Sequence, residues 1–177
     1  MILTAPALLE SSNATEFKKN LYARLKFWFL TLSPGLGRTT LESCSKMLLG
    51  FGVNRCAVSS KGNAPLMLTP IISALYCQGK IKRNEYLEKS STLTHTSSES
   101  LDSSLVLGNL IAYLLVNDSG PELENLTAVL IESISNIEIK NVVILIKKAL
   151  ENNLSDEDFI NSIGSNARLG VSGYCSP

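Results

Sequence analysis

One histidine, His95, is all that the sequence supplies, and this scarcity sets the first limits on its chemistry. A Ser-His-Asp site or a histidine-bearing zinc site would have to be built around that residue alone. The four cysteines, Cys44, Cys56, Cys77 and Cys175, show no C-x-x-C spacing, so they outline neither a metal site nor a disulfide framework. They read as free thiols in a reducing compartment. Net charge is absent too, with 16 lysines and arginines balancing 16 aspartates and glutamates. No long-range field draws in nucleic acid or an anionic membrane, and any bound anion must be held locally. Also missing are a G-x-S-x-G motif, a basic-then-apolar leader in "MILTAPALLESS", and an unbroken apolar run of the about 20 residues that span a bilayer. The expectation is a cytoplasmic chain with no nucleic-acid or membrane partner.

What is present is helical periodicity. In "ATEFKKNLYARLKFWFLTL", Phe17, Leu21, Leu25, Trp28, Phe29 and Leu32 recur at helical spacing, with lysines and Arg24 on the other face, which predicts a half-buried helix. "SPGLGRTT" breaks the pattern; Thr39 and Glu42 then have capping-box spacing for a helix through "LESCSKMLL", ended by Gly50 and Gly52. "PLMLTPIISALYCQG" predicts a buried helix with Pro65 at its first position, Pro70 delaying its regular part to Ile71, and Gly79 as its stop. "NEYLEKSSTLTH" and "TSSESLDSSLVLGNLIAYLLVN", the latter opened by Thr96 and Glu99, leave His95 at a joint between helices. "PELENLTAVLIESIS" after Pro121, "EIKNVVILIKKALENN", and "SDEDFINSIG" between Ser155 and Gly164 complete the series. No alternating strand and no self-similar period stand out, so the expectation is one all-α domain over residues 1–177.

Few of these residues suggest chemistry. Asp156, Glu157 and Asp158 follow Ser155, where the dipole of a starting helix favours negative charge. Asp102 and Asp118 lie toward opposite ends of one predicted helix and cannot share a metal. The stretch "VSSKGNAPLM", Val58 to Met67, has two readings. It is an ordinary turn, or a phosphate loop in which Ser59 and Ser60 donate from hydroxyls, Lys61 adds a point charge and Gly62 permits close approach ahead of a helix. His95 likewise reads as a helix-end residue bonded to its neighbours or as a ligand contact.

The order of these pieces resembles the ADP-ribosylglycohydrolase family, including its dinitrogenase-reductase-activating members. "GLGRTT" after an aromatic helix, then "SSKGNAPLMLTPI", then "SSTLTHTSSES" before a long apolar helix, then "GVSGYCSP" carry the likeness. The resemblance implies a compact all-α orthogonal bundle that uses magnesium to hydrolyse ADP-ribose from modified side chains. It implies that Ser59, Ser60 and Lys61 hold the diphosphate, that Gly62 and Asn63 are the family's Gly-Asn, that His95 contacts ADP-ribose, and that Gly173 and Tyr174 are its Gly-Tyr pair. Two departures stand beside it. Ala64, Pro65 and Leu68 replace a glycine and an arginine of the family pattern, and the family's two aspartate-rich metal clusters do not occur in this sequence. The expectation is the family's central portion, truncated at both ends: inactive alone and completed by a complementing chain, a pseudoenzyme that binds ADP-ribose or an ADP-ribosylated protein, or a self-associating helical module without ligand.

Overall fold

The computed structural model describes residues 2–31, 36–117 and 122–162. Among these the chain forms α1 (Thr4–Leu9), α2 (Ala14–Leu30), α3 (Arg38–Leu48), a 3-10 turn (Ala64–Met67), α4 (Thr69–Leu75), α5 (Lys80–Ser91), α6 (Ser98–Val116), α7 (Leu123–Glu132), α8 (Ile137–Glu151) and α9 (Asp156–Ser162). No extended strand occurs among the described residues, so the all-α expectation is met. Leu32, Asp118, Pro121, Gly164, Gly173 and Tyr174, each singled out in the sequence, lie outside them.

Helix starts follow local chemistry, though not always at the residues the spacing suggested. At α2 the Asn13 side chain accepts from the Glu16 amide at 2.9 Å, and the Ser12 amide donates to the Glu16 carboxylate at 2.8 Å. This reciprocal capping satisfies donors that the first turn leaves open. The Thr39 and Glu42 box does not form: α3 follows Gly37 without a side-chain cap, and Glu42 pairs with Lys46 one turn on. The cap of α6 is Ser97 rather than Thr96, accepting from the Ser100 amide at 3.2 Å. Gly50 does end α3, at a φ of 87° where only glycine is unstrained. Pro70 does not delay α4, which starts at Thr69 with the proline in its first turn, where no amide donor is required.

Two apolar clusters hold the helices together. The larger joins Ala7 and Leu8 of α1, Phe17 and Leu21 of α2, Met47 of α3, Ile72 of α4 and Tyr86 and Leu87 of α5. The smaller joins Leu126 and Leu130 of α7 with Ile134, Ile139 and Val143, packed against Val106, Leu110 and Tyr113 of α6. Leu25 and Phe29 of the α2 stripe pack on the larger cluster without full burial. Lys18 departs from the expected outer face: it is buried, with its ammonium donating to Asn54 Oδ1 at 3.1 Å and Thr92 Oγ1 at 3.2 Å, and burial lowers its pKa.

The central element is α6. It packs against α4, α5, α7 and α8. By length and composition α6 could cross a membrane, although, as expected, polar residues interrupt its apolar run. Its polar residues Ser100, Asp102, Ser104 and Asn109 are nevertheless buried inside the bundle. Ser100, Ser104, Gly108 and Ala112 form a buried stripe of small residues at four-residue spacing, which keeps one face of α6 narrow. A Cβ at Gly108 would meet Leu87 Cδ1 at 2.5 Å and Ser73 Oγ at 2.9 Å. Arg83 of α5 turns inward beside it, donating from Nη1 to the carbonyls of Tyr76 and Cys77 at 3.0 and 2.9 Å and from Nη2 to Asn109 Oδ1 at 2.7 Å. It thereby satisfies the Cys77 carbonyl just past α4 and joins the Gly79 amide in satisfying that of Tyr76.

Candidate functional site at the 58–63 loop

The loop from Val58 to Asn63 is pinned from three directions. The Val58 amide donates to the Thr94 carbonyl at 3.0 Å, and the Thr96 amide donates to the Val58 carbonyl at 3.0 Å, a parallel bridge centred on His95. From α3, the Thr39 hydroxyl donates to Ser60 Oγ at 2.8 Å. From α6, the fully buried Ser100 hydroxyl shares its proton between the Ser60 carbonyl at 3.0 Å and the Gly62 carbonyl at 2.7 Å. Three segments distant in sequence therefore set one short loop.

Ser60, Gly62 and His95 meet here. A Cβ at Gly62 would lie 2.7 Å from His95 Nε2 and 3.3 Å from Ser60 Oγ, so only glycine lets the backbone approach the imidazole this closely. The Gly62 amide donates to Ser60 Oγ at 3.2 Å. His95 is 2% exposed, with Nδ1 2.9 Å from the Thr94 hydroxyl. Burial pushes its pKa down to about 4, so the ring is neutral at pH 7. It can exchange hydrogen bonds with a ligand but cannot supply charge.

The other candidates lie apart. Ser59 and Asn63 are exposed on the loop, and the Asn63 side chain caps no helix. Lys61 turns toward the starts of α6 and α8, where its ammonium is 2.9 Å from Glu99 and 3.1 Å from Glu138. Both hydrogen bonds raise its pKa, and the first also lowers that of Glu99. One cation thus faces two carboxylates, which offsets its attraction for a phosphate. The loop also leads into a four-residue 3-10 turn rather than directly into a long helix. An anion at this loop would therefore draw on loop amides and hydroxyls more than on a helix dipole. Where the family pattern has an arginine, Leu68 packs against the larger core cluster.

The family model for ADP-ribosylglycohydrolase matches residues 1–174. The chain belongs to the ADP-ribosylglycohydrolase family. A match over almost the whole chain gives no support to the expectation that only the family's central portion is present. No curated protein and no solved structure matches the chain.

ADP-ribosylglycohydrolases act on ADP-ribosylated substrates and are generally metal-dependent. No group of three His, Cys, Asp or Glu residues suited to a metal occurs among the described residues of this chain. The carboxylates near the loop have other partners. Asp102 Oδ2 accepts from the Ser135 amide at 2.8 Å, the Ser135 hydroxyl at 3.0 Å and the Asn136 amide at 2.5 Å, while Glu99 and Glu138 hold Lys61. These donor sets do not fit a magnesium pair, which requires several oxygen ligands free to coordinate.

Four side-chain partners of the loop, Thr39, Glu99, Ser100 and Glu138, escaped the sequence signals. Thr39 and Glu99 carried a local capping signal that masked their tertiary contacts. Ser100 had a faint signal, as a polar member of a four-residue stripe on a helix otherwise read as apolar.

Proposed function

We propose that the 58–63 loop and His95 bind ADP-ribose or an ADP-ribosylated side chain, and that the 177-residue polypeptide does not cleave it unaided. The observation supporting the first part is the convergence of Ser60 and Gly62 on His95. In this reading Ser59, Ser60 and the loop amides take the diphosphate, while His95 offers a neutral polar edge. Lys61 braces the loop through Glu99 and Glu138 rather than meeting phosphate as a free charge. The second part rests on the sequence, which holds neither of the family's aspartate-rich clusters.

Calorimetry with ADP-ribose tests the binding. Heat of association is expected at millimolar ligand, and Asn63→Ala is expected to weaken it; no heat at that concentration sinks the proposal. Purified protein with magnesium and an ADP-ribosylated substrate is expected to release no ADP-ribose, and clear turnover overturns the inactive part.

A helical interaction module is the second reading. It is favoured by exposed apolar side chains on α8, Ile144, Leu145, Ile146 and Leu150, and at the end of α6, Leu114, Leu115 and Val116. Self-association that rises with concentration supports it, and a monodisperse monomer at high concentration counts against it.

A further inference from the structure

We infer that Ser100 is a positioning residue of the ADP-ribose loop: its buried hydroxyl turns two peptide planes so that the amides of Lys61 and Asn63 face the ligand. This inference rests on the reading of the loop given above and assigns a cause to its donor geometry.

A trans peptide is planar, and its C=O and N–H point in opposite directions. The carbonyls of Ser60 and Gly62 both point at Ser100 Oγ, at 3.0 and 2.7 Å. The N–H groups on the far ends of those two peptide units belong to Lys61 and Asn63. They are therefore directed away from α6, toward the opposite side of the loop. Neither amide donates to another described residue. The intervening Gly62 amide is turned back onto Ser60 Oγ. Ser60 Oγ accepts from both Thr39 and Gly62, and its own proton has no partner among the described residues. Among the described residues, two backbone donors and one hydroxyl proton are thus left on the loop, a set suited to the oxygens of a diphosphate.

Ser100 is well placed to hold this arrangement. It is fully buried on the central helix, and its amide is held by Ser97. Without its hydroxyl, both loop carbonyls lose a shared donor, and rotation of the Ser60–Lys61 peptide unit turns its amide away from the ligand and its carbonyl toward it. That reversal places a partial negative charge against phosphate.

The experiment compares wild type, Ser100→Ala and Ser104→Ala. Ser104 is also fully buried, one turn along α6, and hydrogen-bonds Ser91 and the Ser100 carbonyl. In calorimetry with ADP-ribose, Ser100→Ala is expected to weaken binding about tenfold or more, while Ser104→Ala stays within about twofold of wild type. In amide NMR of the wild-type protein, inorganic diphosphate is expected to shift the Lys61 and Asn63 resonances, a readout that requires no variant to fold. Wild-type binding with equal effects of the two substitutions, or with unshifted Lys61 and Asn63 amides, overturns the role of Ser100 and leaves the ADP-ribose site standing. Absence of wild-type binding to ADP-ribose overturns both.

Discussion

At the scale of single residues, His95 and Gly62 form a pair whose energetics can be measured. The His95 ring is buried and its folded pKa falls to about 4, against 6.5 in an unfolded chain. Between these values the unfolded state takes up a proton that the folded state refuses, so stability is full above about pH 6.5 and declines as pH falls. Because the sequence has one histidine, denaturant unfolding between pH 7 and 5 isolates this group. The slope below pH 6.5 is expected to approach about 1.4 kcal/mol per pH unit, and His95→Gln should flatten it. A wild-type profile that is flat over that range would show that the ring is accessible to protons in the folded state.

Gly62→Ala is expected to cost about 1–3 kcal/mol, because the new methyl meets a ring that cannot swing aside in its buried site. A drop in thermal midpoint measures it, and unchanged stability would contradict the close approach. The sequence marked both residues as candidates. It could not show that they touch, because they lie 33 positions apart and a bridge at Val58 brings them together.

At the scale of elements, the start of α8 is secured by a residue of another helix. Asp102 of α6 accepts from the amides of Ser135 and Asn136, and Asn136 in turn caps α8 by accepting from the Glu138 and Ile139 amides. Asp102→Ala is expected to remove about 2 kcal/mol and to shift the urea midpoint downward without changing the slope, with α8 amides losing protection first. Loss of protection confined to α6 would refute this role. In the sequence Asp102 lies too far from Asp118 to share a metal with it. Nothing in its neighbours revealed the cap it provides, since capping across helices leaves no local spacing. By contrast, the caps of α2 and α6 are close to legible, because the Asn13 and Ser97 side chains accept from amides three residues on and the Ser12 amide donates to the nearby Glu16 carboxylate. The missing box at Thr39 shows the limit of that logic, since its hydroxyl found a better use across the fold at Ser60.

At the scale of the whole molecule, the two apolar clusters differ in depth. The larger consists mostly of side chains with no solvent exposure, whereas the five residues of the smaller retain 4–9%. The α7 and α8 pair also presents several exposed aliphatic residues. Local opening follows the least buried contacts. Native-state hydrogen exchange is therefore expected to show α8 amides exchanging through a partial opening, about 2 kcal/mol or more below the opening of α2 and α5. Equal opening energies across all of these helices would mean that the clusters unfold as one.

The sequence by itself determined the helical class, nearly every helix, the place of His95 at a joint and the likeness to the ADP-ribosylglycohydrolase family. These follow from periodicity, glycine stops and motif order, all carried by residues near one another in the chain. Only the tertiary structure decided which polar residues serve the loop: that Lys61 answers to Glu99 and Glu138, that Thr39 holds Ser60, and that Ser100 turns the loop carbonyls inward. Hydrogen bonds and ion pairs depend on distances of about 3 Å between particular atoms, and folding sets those distances between segments that the chain keeps far apart.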